Sequence, residues 1–174
     1  MEALYFLVES VFSLAVYAFL LRVLLQLVRA DFRNPLAQAV VSLTNWLVLP
    51  LRRVLPPAGR FDTASLVALL AVQLAATLIV FRLRTGVVYP FVPLAAAALR
   101  QLANSTLLLY TVLIFAQAIL SFVPGSRSPM TAMLASLCEP VLRPIRRVLP
   151  VVGGLDFSPL VAILGLTALR ILLR

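Results

Sequence analysis

Pro50-Leu51-Arg52-Arg53-Val54-Leu55-Pro56 recurs 94 residues later as Pro144-Ile145-Arg146-Arg147-Val148-Leu149-Pro150. Sliding the chain by that offset aligns residues 33–68 with 127–162 without a gap, and 15 of the 36 positions are identical. A chain of this biased composition matches itself by chance at about one position in ten, or roughly four here, so the segment is duplicated. Two long apolar runs separate equivalent points. If each crosses a bilayer, both copies face the same way, which makes a parallel repeat and not the inverted repeat of many transporters.

Upstream of each basic motif, a capping residue precedes a proline: Asn34-Pro35 in the first copy and Ser128-Pro129 in the second. The side chain accepts an orphan N–H and the proline presets the first turn, so a helix starts at each. Pro50 and Pro144 are expected to end it. At 100° per residue Leu36, Val40, Leu43 and Leu47 share one stripe, with Gln38, Ser42 and Asn45 opposite. Met130, Leu134, Leu137 and Val141 repeat the stripe, with Ser136 and Glu139 opposite. About 15 residues are too few to cross a bilayer, so residues 35–49 and 129–143 are predicted to lie in the membrane plane, with Trp46 at headgroup depth. A re-entrant hairpin is the alternative. The Pro-bounded basic turn then follows. Near an anionic leaflet each arginine contributes about 1 kcal/mol, which makes Arg52, Arg53, Arg143, Arg146 and Arg147 candidates for docking lipid headgroups or a partner protein. Their plainer role is to set topology.

The rest of the 174-residue chain agrees with a lipid solvent: 63% apolar, 12% charged, mean hydropathy +1.08. Too few polar side chains remain to coat a soluble domain. Four spans are expected: Tyr5 to Leu27, Ala64 to Phe81, Leu107 to Val123 behind a weaker extension from Pro93, and the short Pro159 to Leu173. The first carries no basic leader, so it reads as a retained span and not a cleaved signal. Three units follow: 1–81 as a first repeat, 82–103 as a connection, 104–174 as a second repeat.

The net charge of +9 comes from 15 arginines, no lysine and 6 acids. Guanidinium groups stay charged and bind phosphate in a forked geometry, so anionic headgroups are the expected counter-charge. No histidine is present and Cys138 is the one cysteine, which excludes imidazole catalysis, Cys-rich metal sites and internal disulfides. No catalytic, cofactor or metal residue is expected, and no nucleic-acid partner. Cys138 itself reads as a small apolar filler.

Nine arginines in the two repeat loops and their flanks, against five on the opposite side, place those loops in the cytoplasm and both termini outside. Within the spans Arg22, Gln26, Arg29 and Arg33 share one helical face, which points to helix packing with Arg22 snorkelling outward. Gln73 and Gln117 lie near span centres and are candidates for bonds across the bundle or for a polar path. No acid lies at mid-membrane, which argues against proton-coupled transport. Asp62 and Asp156 close the loops after Gly59 and Gly153-Gly154. They are expected to cap the next helix, with a latch onto Arg52-Arg53 or Arg146-Arg147 as the alternative.

The whole repeat, Asn34-Pro35 through Pro50–Pro57 to Gly59 and Asp62, and Ser128-Pro129 through Arg143–Pro150 to Gly153-Gly154-Leu155-Asp156-Phe157-Ser158-Pro159, resembles the YggT family. The first copy departs from the motif at Leu49, Arg60 and Ala64-Ser65. The resemblance implies a multi-pass protein of the bacterial inner membrane, with plastid relatives in thylakoid cytochrome maturation and bacterial ones linked to division or to osmotic and potassium tolerance. The expectation is an all-α integral membrane protein of four spans and two in-plane helices, acting as a non-enzymatic scaffold or assembly factor. Its partners would be membrane lipids and other membrane proteins, with homo-oligomers left open. The alternative is a small oligomeric channel or transport accessory, with Gln73, Gln117 and the Arg22 face as the polar path.

Overall fold

Between Glu2 and Leu27 no proline or glycine interrupts the chain, and Glu9 is the one charge before Arg22. The result is an unbroken α1 (Glu2–Leu27). The computed structural model describes residues 2–56, 62–87, 89–121, 128–149 and 156–173, and these are all-helical or connecting, without a strand. The remaining helices are α2 (Pro35–Val54), α3 (Thr63–Thr85), α4 (Phe91–Ser121), α5 (Pro129–Val148) and α6 (Ser158–Leu172). Helices α1, α3 and α4 are long and apolar enough to cross a membrane. At 31 residues α4 measures about 46 Å, more than the roughly 30 Å of a bilayer core, so the weaker stretch from Pro93 continues into the apolar one as a single helix. With 15 residues α6 measures about 23 Å. Its proposed extension back to Leu155 lies outside the described residues, as do Gly59, Arg60, Gly153, Gly154 and the end of the third apolar run at Val123.

Two sequence expectations fail at the prolines. Pro50 and Pro144 do not end their helices: α2 and α5 each run 20 residues, with Pro50 inside the first and Pro140 and Pro144 inside the second. The helices expected in the membrane plane therefore extend beyond 35–49 and 129–143. Arg52-Arg53 and Arg146-Arg147 form last helical turns and not free Pro-bounded turns. Each proline deletes one i→i−4 bond, yet the final turn closes with Leu55 N–H donating to Leu51 O at 2.8 Å and Leu149 N–H to Ile145 O at 2.9 Å. The paired guanidiniums there complement the partial negative charge of the helix end. The starts follow the sequence closely. Asn34 Oδ1 accepts from Leu36 N–H at 2.9 Å, while Ser128 and Thr131 form a reciprocal capping box. Asn34 also donates through Nδ2 to Pro129 O at 2.7 Å, which joins the first turns of α2 and α5.

Helices α1, α2 and α3 pack on one another, as do α4, α5 and α6, and α3 meets α4 between the triplets. The apolar stripe expected to face the membrane on α2 is split, with Val40 and Leu47 half-buried against the core. Leu36 and Leu43 stay exposed, while Ala37, Thr44 and Val48 turn onto α1 and α3. Small side chains win the inner face because they let helix backbones approach closely, and where the solvent is lipid an outward leucine costs nothing. Trp46 is exposed yet meets the ring of buried Phe19 edge-on, centroids 6.3 Å apart. On α5 the inner face carries Leu137, Cys138 and Leu142, which pack with Ile114, Ala162 and Leu166 and with the core of the first triplet.

Candidate functional site

Arg22 is the 21st residue of α1, without any carboxylate hydrogen-bonded to it, and it does not snorkel. Its residue is 2% exposed. The guanidinium turns inward, because hydroxyl and amide acceptors converge on it from α2 and α3. Nε donates to Ser65 Oγ at 3.0 Å, and Nη1 donates to Thr44 Oγ1 at 2.7 Å, Asn45 Oδ1 at 2.9 Å and Val41 O at 3.3 Å. One side chain thus ties three helices together. A buried charge held by neutral dipoles is costly to assemble, so its presence marks a specified arrangement.

The network continues toward the helix ends. Ser65 Oγ donates to Asp62 Oδ2 at 2.6 Å, and Gln26 Nε2 reaches both Asp62 at 3.2 Å and Ser65 at 3.2 Å. Arg52 forms an ion pair with Asp62, its Nε 3.3 and 3.2 Å from the two carboxylate oxygens. Asp62 holds the N-cap position of α3 but makes no side-chain capping bond; its carboxylate serves the α2–α3 latch. Burial pushes that carboxyl up, yet hydrogen bonds from Arg52, Ser65 and Gln26 outweigh it and bring the pKa down to about 2. Asp156 lies one residue before Phe157, the N-cap of α6, and combines the latch with one bond to the first turn of that helix. It accepts from Ser158 N–H at 2.9 Å and from Arg146 Nε at 2.9 Å, while Arg146 also pairs with Glu139 at 3.3 Å. Its carboxyl is likewise lowered, with burial again opposed by Ser158 and Arg146.

Arg29 and Arg33 do not continue the Arg22 face, because α1 stops at Leu27. Arg29 adopts the left-handed conformation, φ 52°, and Ala30 N–H closes back on Leu25 O at 2.9 Å. Such a position is usually glycine's. Gln73 bonds within its own helix, to Thr77 Oγ1 at 3.1 Å, instead of across the bundle. Gln117 Oε1 is buried without a hydrogen-bond partner among the described residues. Arg53, Arg143 and Arg147 are exposed.

Two cavities of mixed lining, more apolar than polar, lie near opposite ends of α1 and α3. One of about 740 Å³ is lined by Arg22, Gln26, Arg29, Asn45, Arg52 and Asp62, among others. The other, about 520 Å³, is bordered by Glu9, Gln73, Thr77, Arg84, Gln101 and Asn104. Glu9 and Arg84 form an ion pair at this second end, and Arg170 Nε donates to Asn104 Oδ1 at 3.1 Å. Buried Phe19, Leu20, Ala68 and Leu69 fall between the two sets along both helices. Among the described residues no three His, Cys, Asp or Glu gather where they could hold a metal ion.

The acceptors Thr44, Asn45 and Ser65 do leave a signal in the sequence, although not in the helical spacing that singles out Arg22. At the 94-residue offset Arg22 corresponds to Ala116, Thr44 to Cys138, Asn45 to Glu139 and Ser65 to Pro159. Every acceptor side chain of Arg22 changes where the arginine is lost, whereas Arg52–Asp62 recurs as Arg146–Asp156. Cys138, in the place of Thr44, is fully buried, and burial pushes its thiol up to about 12 against the weaker pull of Arg146. Reaction with a maleimide at pH 8 is therefore expected to be negligible in the folded protein and complete after denaturation, since the thiolate is the nucleophile.

These features define an all-α membrane protein organised around a guanidinium buried among three helices. The chain belongs to the CCB3/YggT family, whose sequence model matches residues 1–83 and 96–174. It is 39% identical to the protein YggT of Escherichia coli strain K12 over 166 residues, covering 94% of this chain and 85% of that one. A protein from the proC 3′ region of Vibrio alginolyticus is 38% identical over 170 residues, covering 95% and 90%. A Pseudomonas aeruginosa protein is 38% identical over 169 residues, covering 96% and 86%. No solved structure matches the chain.

Proposed function

We propose that this protein is a non-enzymatic scaffold or assembly factor of the bacterial inner membrane. It is built of four spans in two parallel repeats, with α6 as the short fourth span and α2 and α5 as amphipathic helices at the cytoplasmic face. The observation that carries this reading is the apolar layer of Phe19, Leu20, Ala68 and Leu69, which separates the cavity at one end of α1 and α3 from the one that these helices share with α4 at the other. Among the described residues, α1 and α3 offer no continuous polar route between the two cavities. The ion pairs Glu9–Arg84 and Arg52–Asp62 fasten the triplet at its two ends, which suits a rigid docking body. The exposed arginines ending α2 and α5 are suited to anionic headgroups, at about 1 kcal/mol each near a charged leaflet.

A second reading, a channel or transport accessory in osmotic or potassium balance, is favoured by those same cavities, since they lie toward opposite ends of α1 and α3. Potassium flux into proteoliposomes carrying only this protein distinguishes the two. Scaffolding predicts flux equal to that of empty liposomes, and no change on Gln117→Leu. Conductance that this substitution abolishes overturns it. Because Gln117 Oε1 is buried and unpartnered, the same variant is expected to gain about 1 kcal/mol of stability by removing an uncompensated polar group.

A further inference from the structure

We propose that the Arg22 cavity binds a phosphate group, supplied either by a phospholipid headgroup or by free phosphate. The cavity's about 740 Å³ is walled by three guanidiniums, Arg22, Arg29 and Arg52, and a single carboxylate, Asp62, so its formal balance is two positive charges. That carboxylate is already committed to Arg52, Gln26 and Ser65. The cavity therefore holds excess positive charge with no further anion among its described lining residues.

The donors are also held in place. Arg22 is fixed through Nε and Nη1, while Nη2 makes no hydrogen bond among the described residues. It is a pre-oriented donor in a wall, and orienting it requires no further ordering when a ligand arrives. Arg29 makes no side-chain hydrogen bond or ion pair among the described residues, and its backbone sits at φ 52°, where a residue with a Cβ is disfavoured. Asn45 accepts from Arg22 through Oδ1 and keeps its amide N–H₂ without a partner among those residues. Forked guanidiniums with an amide donor suit a tetrahedral oxyanion better than a planar carboxylate, because they supply bonds in several directions. At the 94-residue offset the second copy has Ala116 and Val123 for Arg22 and Arg29, so each chain carries one such site. The inference is independent of whether the protein scaffolds or transports.

The test uses the full chain in nanodiscs of phosphatidylcholine titrated with inorganic phosphate, and in nanodiscs that also contain phosphatidylglycerol. The readouts are the unfolding midpoint and bound phosphate by phosphorus NMR. Saturable stabilisation is expected in at least one arm. Phosphate acting in the zwitterionic disc identifies the free ion, and an effect confined to phosphatidylglycerol identifies the headgroup. Arg29→Gly is the informative variant, because glycine accepts the left-handed backbone while the guanidinium is lost. Its unliganded midpoint should equal or exceed that of the parent, with affinity reduced roughly tenfold. Arg82→Gln removes the same charge at the far end of α3, outside both cavities, and should bind as the parent does. The proposal is overturned if neither arm saturates, if Arg29→Gly binds like the parent, or if the two variants weaken binding equally, which would reveal bulk charge attraction.

Discussion

Replacing Arg22 with alanine is expected to destabilise the protein by about 3 kcal/mol, measured as the shift in unfolding free energy in detergent micelles. The loss has two sources. The buried side chain leaves a void among α1, α2 and α3, and the Asn45 amide oxygen loses the donor that faces it, whereas Val41 O still accepts from Thr44 Oγ1 at 3.2 Å. Thr44 and Ser65 lose less, since Thr44 still donates to Val40 O at 2.6 Å and Ser65 to Asp62 at 2.6 Å. Arg22→Lys should recover little of the difference. An ammonium keeps the charge but lacks the fork that reaches α2 and α3 together. Arg22→Met fills most of the volume without a charge and should fall between them. If alanine costs less than about 1 kcal/mol, the network is not what holds α2 against the other two helices.

The second large effect is expected at Asp62. Its carboxyl titrates near 2 in the folded protein against an ordinary value of 3.8, so folding favours the ionised form. The resulting stabilisation is fully present above about pH 4 and is lost as the pH falls through about 2. The shift corresponds to about 2 kcal/mol for a carboxylate 13% exposed, reduced toward about 1 kcal/mol because its partner Arg52 is 45% exposed. Asp62→Asn should therefore lower stability at pH 7 by about 1–2 kcal/mol and flatten the acid limb of the stability profile. Asp156→Asn makes the natural comparison. Asp156 is 37% exposed and pairs in more open surroundings, so its ion pair should contribute less than about 1 kcal/mol. Equal effects at the two sites would show that the Arg22 network adds nothing to the first.

These two predictions separate what was legible in the residues from what was not. The paired motifs drew attention to Asp62 and Asp156, but as helix caps first and as latches onto Arg52 and Arg146 only second; the structure forms both ion pairs, and Asp62 makes no capping bond. Arg22 was legible as unusual, since charges inside apolar runs are rare. Its direction was not. Near the end of a span an arginine can reach outward to the interface as easily as inward, and only the acceptors on α2 and α3 decide between them. The helix ends were misread for a related reason. Proline removes one hydrogen bond, but tertiary packing of Val48 and Leu51 against the core holds α2 through Pro50.

The sequence by itself determined the lipid solvent, the helical class, the helix starts at Asn34 and Ser128 and the duplicated basic motif. Composition, capping chemistry and self-similarity are local or statistical properties that need no partner to express them. Which face of α2 turns inward, where Arg22 points, and the gathering of three guanidiniums against one carboxylate along an open cavity were decided only by three helices meeting. A side chain's cost in a low-dielectric interior depends on the dipoles that neighbours bring to it, and those neighbours lie 19 to 43 residues away along the chain.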